Sequence, residues 1–298
     1  NGPIDDNGAV VQFRISPDEN WVVYRANVGG AGVFELYSRP LDGSGAAVRL
    51  NGSLEEGSVE STFYVSPDSQ FVLYSAAQDT EGVKDLYSVP IKGLQESVRI
   101  NSPQSANNGV VLELTFSANA NLVYFRADQI ADNAAELYRA PFDGSGVPEL
   151  LSQLPAENSD VTGFALVPDE AVIYYRLRES PGVRFNIFRR TLEPDFCLTR
   201  ANPPFASQRA AFEFLPLPGG DRLVYRADQD ENDSFELYVS DIVCVRNEGE
   251  GVVEGEGEGE GASEGQGPGE DEDEGEGVVE GDGEGAPCSV GPIHTADQ

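Results

Sequence analysis

The sequence predicts an all-β fold, a β-propeller of four-stranded blades, and three observations predict it. A motif of about fifty residues recurs five times through residues 1–247, its segments are short, β-branched and aromatic, and none shows ten residues of helical periodicity. Three columns carry the repeat. The leading apolar position reads Phe13, Phe63, Leu114, Phe164 and Phe214; the aromatic of the second segment reads Tyr24, Tyr74, Phe125, Tyr175 and Tyr225; that of the third reads Tyr37, Tyr87, Tyr138, Phe188 and Tyr238. Each column advances in steps of 50, 51, 50 and 50 residues. A solenoid of this period would need helices or a much shorter coil.

Each element follows from its residues. In the first copy a strand runs to Phe13 and stops at the turn Ser16-Pro17-Asp18. A second follows through Trp21, Val22, Val23 and Tyr24, a third through Glu35, Leu36 and Tyr37, and Asp42-Gly43 turns the chain into a short fourth, Val48-Arg49-Leu50, ending at Asn51. The blades therefore span about 1–51, 52–101, 102–152, 153–202 and 203–247. Asn1-Gly2 aligns with Asn51-Gly52, so the chain is expected to begin just after an upstream fourth strand, and in the last copy only residues 242–246 offer a fourth strand. Two readings stay open: five blades close as they stand, or the intact protein has six or more, the extra ones upstream.

Taken together, Phe-x-x-Ser-Pro-Asp, Val-x-Tyr-x-Ala-Asp, Glu-Leu-Tyr-Ser-x-Pro, Asp-Gly and Val-x-Leu-Asn resemble the WD-like propeller repeats of the TolB type over residues 1–247. Copies three and four depart from the pattern, with Ser117-Ala118-Asn119 and Val167-Pro168-Asp169. The resemblance implies blades that act as scaffolds for protein contacts, or the non-catalytic propeller of a larger enzyme such as a prolyl-oligopeptidase-type peptidase. No Gly-x-Ser-x-Gly elbow or triad histidine follows the repeats.

Charge divides the chain further. Of 52 acidic residues, 16 lie in residues 248–287 with 14 glycines and no Lys or Arg, leaving 36 acids and 19 bases, a net of −17, for the rest. Residues 248–287 have too little apolar surface to offset ordering entropy and are expected to be a disordered Glu/Gly-rich linker. Residues 288–298 lose that low complexity and look like the start of a truncated C-terminal module. The acidic tract before Cys288 and His294-Thr295-Ala296-Asp297 is similar to those preceding dockerin-like calcium modules, which would make Asp297 a first ligand. An anionic body argues against nucleic acid and anionic membranes as partners, and no apolar run reaches the ~18 residues of a spanning helix. With no methionine and no signal-type opening, the sequence is expected to be a processed or truncated piece.

Candidate chemistry is sparse. The single histidine, His294, lies outside the repeats, which excludes Ser/Cys–His catalysis and His-ligated zinc within 1–247. Cys197 and Cys244 sit in neighbouring blades, and both a disulfide and two buried thiols fit. The column Arg25/Glu35, Arg126/Glu136, Arg176/Asn186 and Arg226/Glu236, with Ser75/Asp85 in copy two, reads as cross-strand or inter-blade ion pairs. Asp228, Asp230 and Asn232 place oxygens at alternate positions as a calcium loop does, although Asp233 stands where such a loop has Gly and Val239 where it has Glu, so a solvated hairpin loop is the competing reading. Gln78-Asp79 and Asp128-Gln129 open similar loops. Innermost-strand positions aligned with Gln12 are Thr62, Glu113, Gly163 and Glu213; Glu113 and Glu213 are the candidates for paired-carboxylate chemistry. The expectation is a monomeric, non-catalytic scaffold needing no cofactor, calcium aside. It would bind a protein or glycan in a secreted, cell-surface or periplasmic bacterial protein. A glycosidase or lyase using channel carboxylates is the alternative.

Overall fold

The computed structural model describes residues 4–30, 32–55, 57–102, 111–118, 121–129, 134–154, 159–168, 171–179, 184–192, 197–205, 209–230 and 234–242. Among these the chain forms strands and turns only, and no helix is long and apolar enough to cross a membrane. Blade 1 is β1 (Ala9–Ile15), β2 (Trp21–Asn27), β3 (Glu35–Pro40) and β4 (Val48–Arg49). Blade 2 is β5 (Phe63–Val65), β6 (Phe71–Ala76), β7 (Asp85–Pro90) and β8 (Val98–Arg99). Blade 3 is β9 (Val111–Phe116), β10 (Leu122–Ala127), β11 (Glu136–Pro141) and β12 (Glu149–Leu150), and blade 4 is β13 (Asp160–Leu166), β14 (Val172–Glu179), β15 (Arg184–Thr191) and β16 (Leu198–Arg200). Blade 5 shows β17 (Ala211–Pro216), β18 (Arg222–Ala227) and β19 (Glu236–Asp241). Each is an antiparallel meander whose first strand forms one edge. Of the expected fourth strand of blade 5, Ile242 is buried beside β19 and residues 243–246 lie outside the described residues, as do the linker and residues 288–298.

The three repeat columns are one physical object. Phe13 opposes Tyr24, which opposes Tyr37, and the same row recurs as Phe63–Tyr74–Tyr87, Leu114–Phe125–Tyr138, Phe164–Tyr175–Phe188 and Phe214–Tyr225–Tyr238. The second- and third-strand rings stack in every blade, with centroids 5.6, 5.7, 5.6, 5.6 and 5.5 Å apart. Such offset pairs contribute about 0.5–1.5 kcal/mol beyond their burial.

Because side chains alternate across a strand, the opposite face carries a different set, and the two faces fit each other between blades. Val23 and Leu36 of blade 1 pack on Phe63, Tyr74 and Tyr87 of blade 2. Leu73 and Leu86 pack on Leu114, Phe125 and Tyr138; Tyr124 and Leu137 on Phe164, Tyr175 and Phe188; Tyr174 and Ile187 on Phe214, Tyr225 and Tyr238. The core is thus four repeated interfaces between five blades.

Buried polar side chains fasten the outer strands. Asn51, Asn101, Ser152 and Asn202, each just past a fourth strand, accept the N–H of Leu36, Leu86, Leu137 and Ile187 at 2.8, 2.6, 2.9 and 2.6 Å. A strand of two or three residues cannot satisfy its neighbour's backbone alone, and an unsatisfied buried N–H costs about 1–3 kcal/mol.

Candidate functional site

The inner strands put their polar groups on one rim. β1 meets β5 through Arg14, whose guanidinium lies 5.8 Å from the ring centres of both Phe63 and Tyr64. In blades 1, 3, 4 and 5 the first strand carries a register shift near Gln12, Glu113, Gly163 and Glu213. Bulges re-aim side chains in this way.

The arginine column stands beside these bulges, and here the structure corrects the expected ion pairs. Arg25 opposes Leu36 and Glu35 opposes Ala26, so the two charges lie one residue out of register and on opposite faces. The same offset separates Arg126 from Glu136 and Arg226 from Glu236. The arginines stitch blades instead. Arg25 donates through Nε to the Val59 carbonyl at 2.8 Å, Arg126 through Nη1 to that of Val161 at 2.8 Å, and Arg176 through Nη1 to that of Phe212. The acids serve the aromatic face: Glu35, Glu136 and Glu236 accept the hydroxyls of Tyr37, Tyr138 and Tyr238 at 2.7, 2.8 and 3.0 Å. Glu35 also meets Arg49 at 2.9 Å, and Asp85 meets Arg99 at 3.6 Å.

Both carboxylate candidates reach this rim. Glu113 lies 3.7 Å from Arg126 Nε, and Glu213 lies 3.6 Å from Arg226 Nε. Arg176, between them in blade 4, feels both. Burial pulls its pKa down, as does the positive charge of Arg126, while Glu113 and Glu213 act in the opposite direction. It keeps its charge all the same, as a guanidinium does in proteins. Burial pushes the Glu113 carboxyl up, with Arg126 and Arg176 opposing. Aromatic rings complete the rim: Arg25 sits 4.4 Å over Phe34, Arg176 5.4 Å over Phe185, and Arg226 5.6 and 5.2 Å over Phe212 and Phe235.

Below the rim, between β9 and β13, lies a cavity of about 480 Å3. Glu113 stands at its polar end, and Phe116, Phe164, Leu166, Val167 and Pro168 supply apolar wall. The strands on both sides are sheet edges, so backbone N–H and C=O groups line it as well.

The calcium candidates have other duties. Asp228 is buried and accepts the Ala210 N–H at 2.6 Å, and Asp230 accepts the Tyr238 hydroxyl at 3.1 Å. Asn232 lies outside the described residues. Among the described residues no three His, Cys, Asp or Glu gather as a metal site. The related loops are wired alike. Gln78 accepts from the Gly52 N–H and the Tyr74 hydroxyl at 2.8 and 2.7 Å, Gln129 from the Ser102 N–H at 2.6 Å, and Asp79 pairs with Arg99 at 3.2 Å. Cys197 is disulfide-bonded; by the cysteine count its partner is Cys244 or Cys288, both outside the described residues.

Against solved structures the chain aligns with prolyl oligopeptidase B of Galerina marginata bound to a hydrolysis and macrocyclization substrate, at 13% identity and a TM-score of 0.50 over 79% of this chain and 34% of that one. It aligns with a prolyl endopeptidase at 12% identity and a TM-score of 0.51, over 78% and 34%. The chain is a β-propeller. At these identities the likeness is one of fold alone, and the propeller spans about a third of the length of those peptidases. A TolB-like protein of Agrobacterium tumefaciens aligns at 18% identity and a TM-score of 0.43, over 77% of this chain and 76% of that one. No family model and no curated protein matches the sequence.

Proposed function

We propose that this propeller is a non-catalytic module that binds an extended polypeptide segment in the groove between β9 and β13. The observation that carries the reading is the groove itself: two sheet edges, an apolar wall and one carboxylate at its end. An extended chain laid along such an edge gains main-chain hydrogen bonds, while alternate side chains enter pockets. Phe116, Phe164 and Leu166 suit apolar side chains, and Glu113 suits a lysine, an arginine or an amino terminus. A secreted or envelope-associated bacterial setting is part of the proposal, supported by the disulfide at Cys197, since such bonds persist outside the reducing cytosol. Residues 248–287 would then serve as an acidic spacer that holds the propeller away from its anchor.

An array of extended peptides tests it. Apolar peptides with one basic residue should bind, and Glu113→Lys should switch the preference to acidic ones. Absence of any peptide binding, or a selectivity untouched by Glu113→Lys and Leu166→Glu, rejects the reading. A carbohydrate-active enzyme is the second reading, favoured by the raised Glu113 carboxyl, which suits a general acid, and by the reach of Glu113 and Glu213 to one guanidinium. Turnover of any glycan in a panel, lost in Glu113→Gln, would displace the binding module.

A further inference from the structure

The two end blades expose faces that are buried everywhere else. Leu36, Leu86, Leu137 and Ile187 occupy one column and are 0–1% exposed, whereas Leu237, the fifth member, is 77% exposed. Leu215 and Val239 on the same face of blade 5 are 65% and 36% exposed. On the opposite face of blade 1, Phe13 is 66% exposed while Phe63 is fully buried, and Ile15 beside it is also exposed.

Three further details mark the same faces. Gly144 of blade 3 lies so close to blade 2 that an added Cβ would meet Val98 at 2.6 Å, and Gly93 of blade 2 presses likewise on Val48 of blade 1. At the matching Gly43 of blade 1, an added Cβ would have only the end of the Arg39 side chain within 4.0 Å. Arg25, Arg126 and Arg176 each hold a carbonyl of the following blade. Arg226 belongs to the same column, and its buried Nε has no hydrogen-bond partner.

These surfaces are complementary by construction. Every interface in the chain sets a Leu36-type face against a Phe63–Tyr74–Tyr87-type face. Blade 5 ends on the first kind, with Leu237 and Val224, and blade 1 opens on the second, with Phe13, Tyr24 and Tyr37. We propose that the free face of blade 5 docks onto the free face of blade 1 in a second copy of this chain, repeating the inter-blade interface between molecules. The contact is heterologous, so two copies joined at both ends close a ring, and copies that fail to close would extend into a filament. This departs from the monomer expected of the sequence and is independent of the peptide groove.

Light scattering across a wide concentration range reads the outcome. The chain should pass from one to two or more masses, and Leu237→Glu or Phe13→Glu should each return it to one. Both side chains are exposed in the single chain, so unchanged circular dichroism is expected of each variant. Mixing the two variants supplies one intact face of each kind and should restore a dimer. A wild-type chain that stays monomeric at every concentration overturns the proposal, whether its faces close on each other or onto a further repeat. So does association that survives both substitutions, or a mixture that stays monomeric.

Discussion

At the scale of residues, the recurring polar positions are devices for turns and strand ends. Ser16 and Asp18 show why Ser-Pro-Asp recurs. The Ser16 hydroxyl bonds the Asp18 carboxylate at 2.5 Å and accepts the Trp21 N–H at 3.0 Å, and the Asp18 N–H reaches the Ser69 hydroxyl of blade 2 at 3.0 Å. The Ser16 hydroxyl, followed by Asn20, holds the Asp18 carboxyl at about 2, below its ordinary 3.8. A group lowered in the folded state stabilises it fully above the unfolded value and loses that contribution as pH falls through the folded one. The urea midpoint of the parent should therefore fall between pH about 4 and about 2 more steeply than that of Asp18→Asn. Parallel slopes would contradict this role. The motif was legible as a turn, but its tie to the next blade was not, because Ser69 stands 51 positions away and makes contact only once two blades pack.

Among elements, the blade is legible and its faces are not. Periodicity located nearly every strand, and the structure aligns the three columns into one cross-strand row. The arginine and glutamate columns were misread because recurrence shows that two positions share a task, not that they share a face. A one-residue offset in a strand pair is enough to part them. Glycines after the third strand separate two effects. Gly43 and Gly144 have φ of 77° and 74°, where a side chain is strained, but only Gly144 also presses on a neighbouring blade. Gly43→Ala should cost about 1 kcal/mol and Gly144→Ala about 1–3 kcal/mol more, from forced overpacking. Equal losses in chemical denaturation would remove the inter-blade contact from the account.

For the whole molecule, stability resides in the interfaces between blades, and the ends are its weak points. The disulfide at Cys197 acts there, since either possible partner follows the last described strand. By restricting the unfolded chain it should contribute about 2–4 kcal/mol, so Cys197→Ser should lower the urea midpoint under oxidising conditions and leave no further effect of reductant. A midpoint equal to that of the parent would place the bond outside the cooperative unit. Composition and repeat period determined the fold class, the blade boundaries and the separation of an acidic tract from the repeats, because these follow from local patterns that each copy states anew. Tertiary structure alone decided which arginine holds which carbonyl, that Glu113 and Glu213 share the reach of Arg176, and that Leu237 and Phe13 stand uncovered. Those facts depend on how blades far apart in sequence meet, and nothing within a single repeat encodes its neighbour's position.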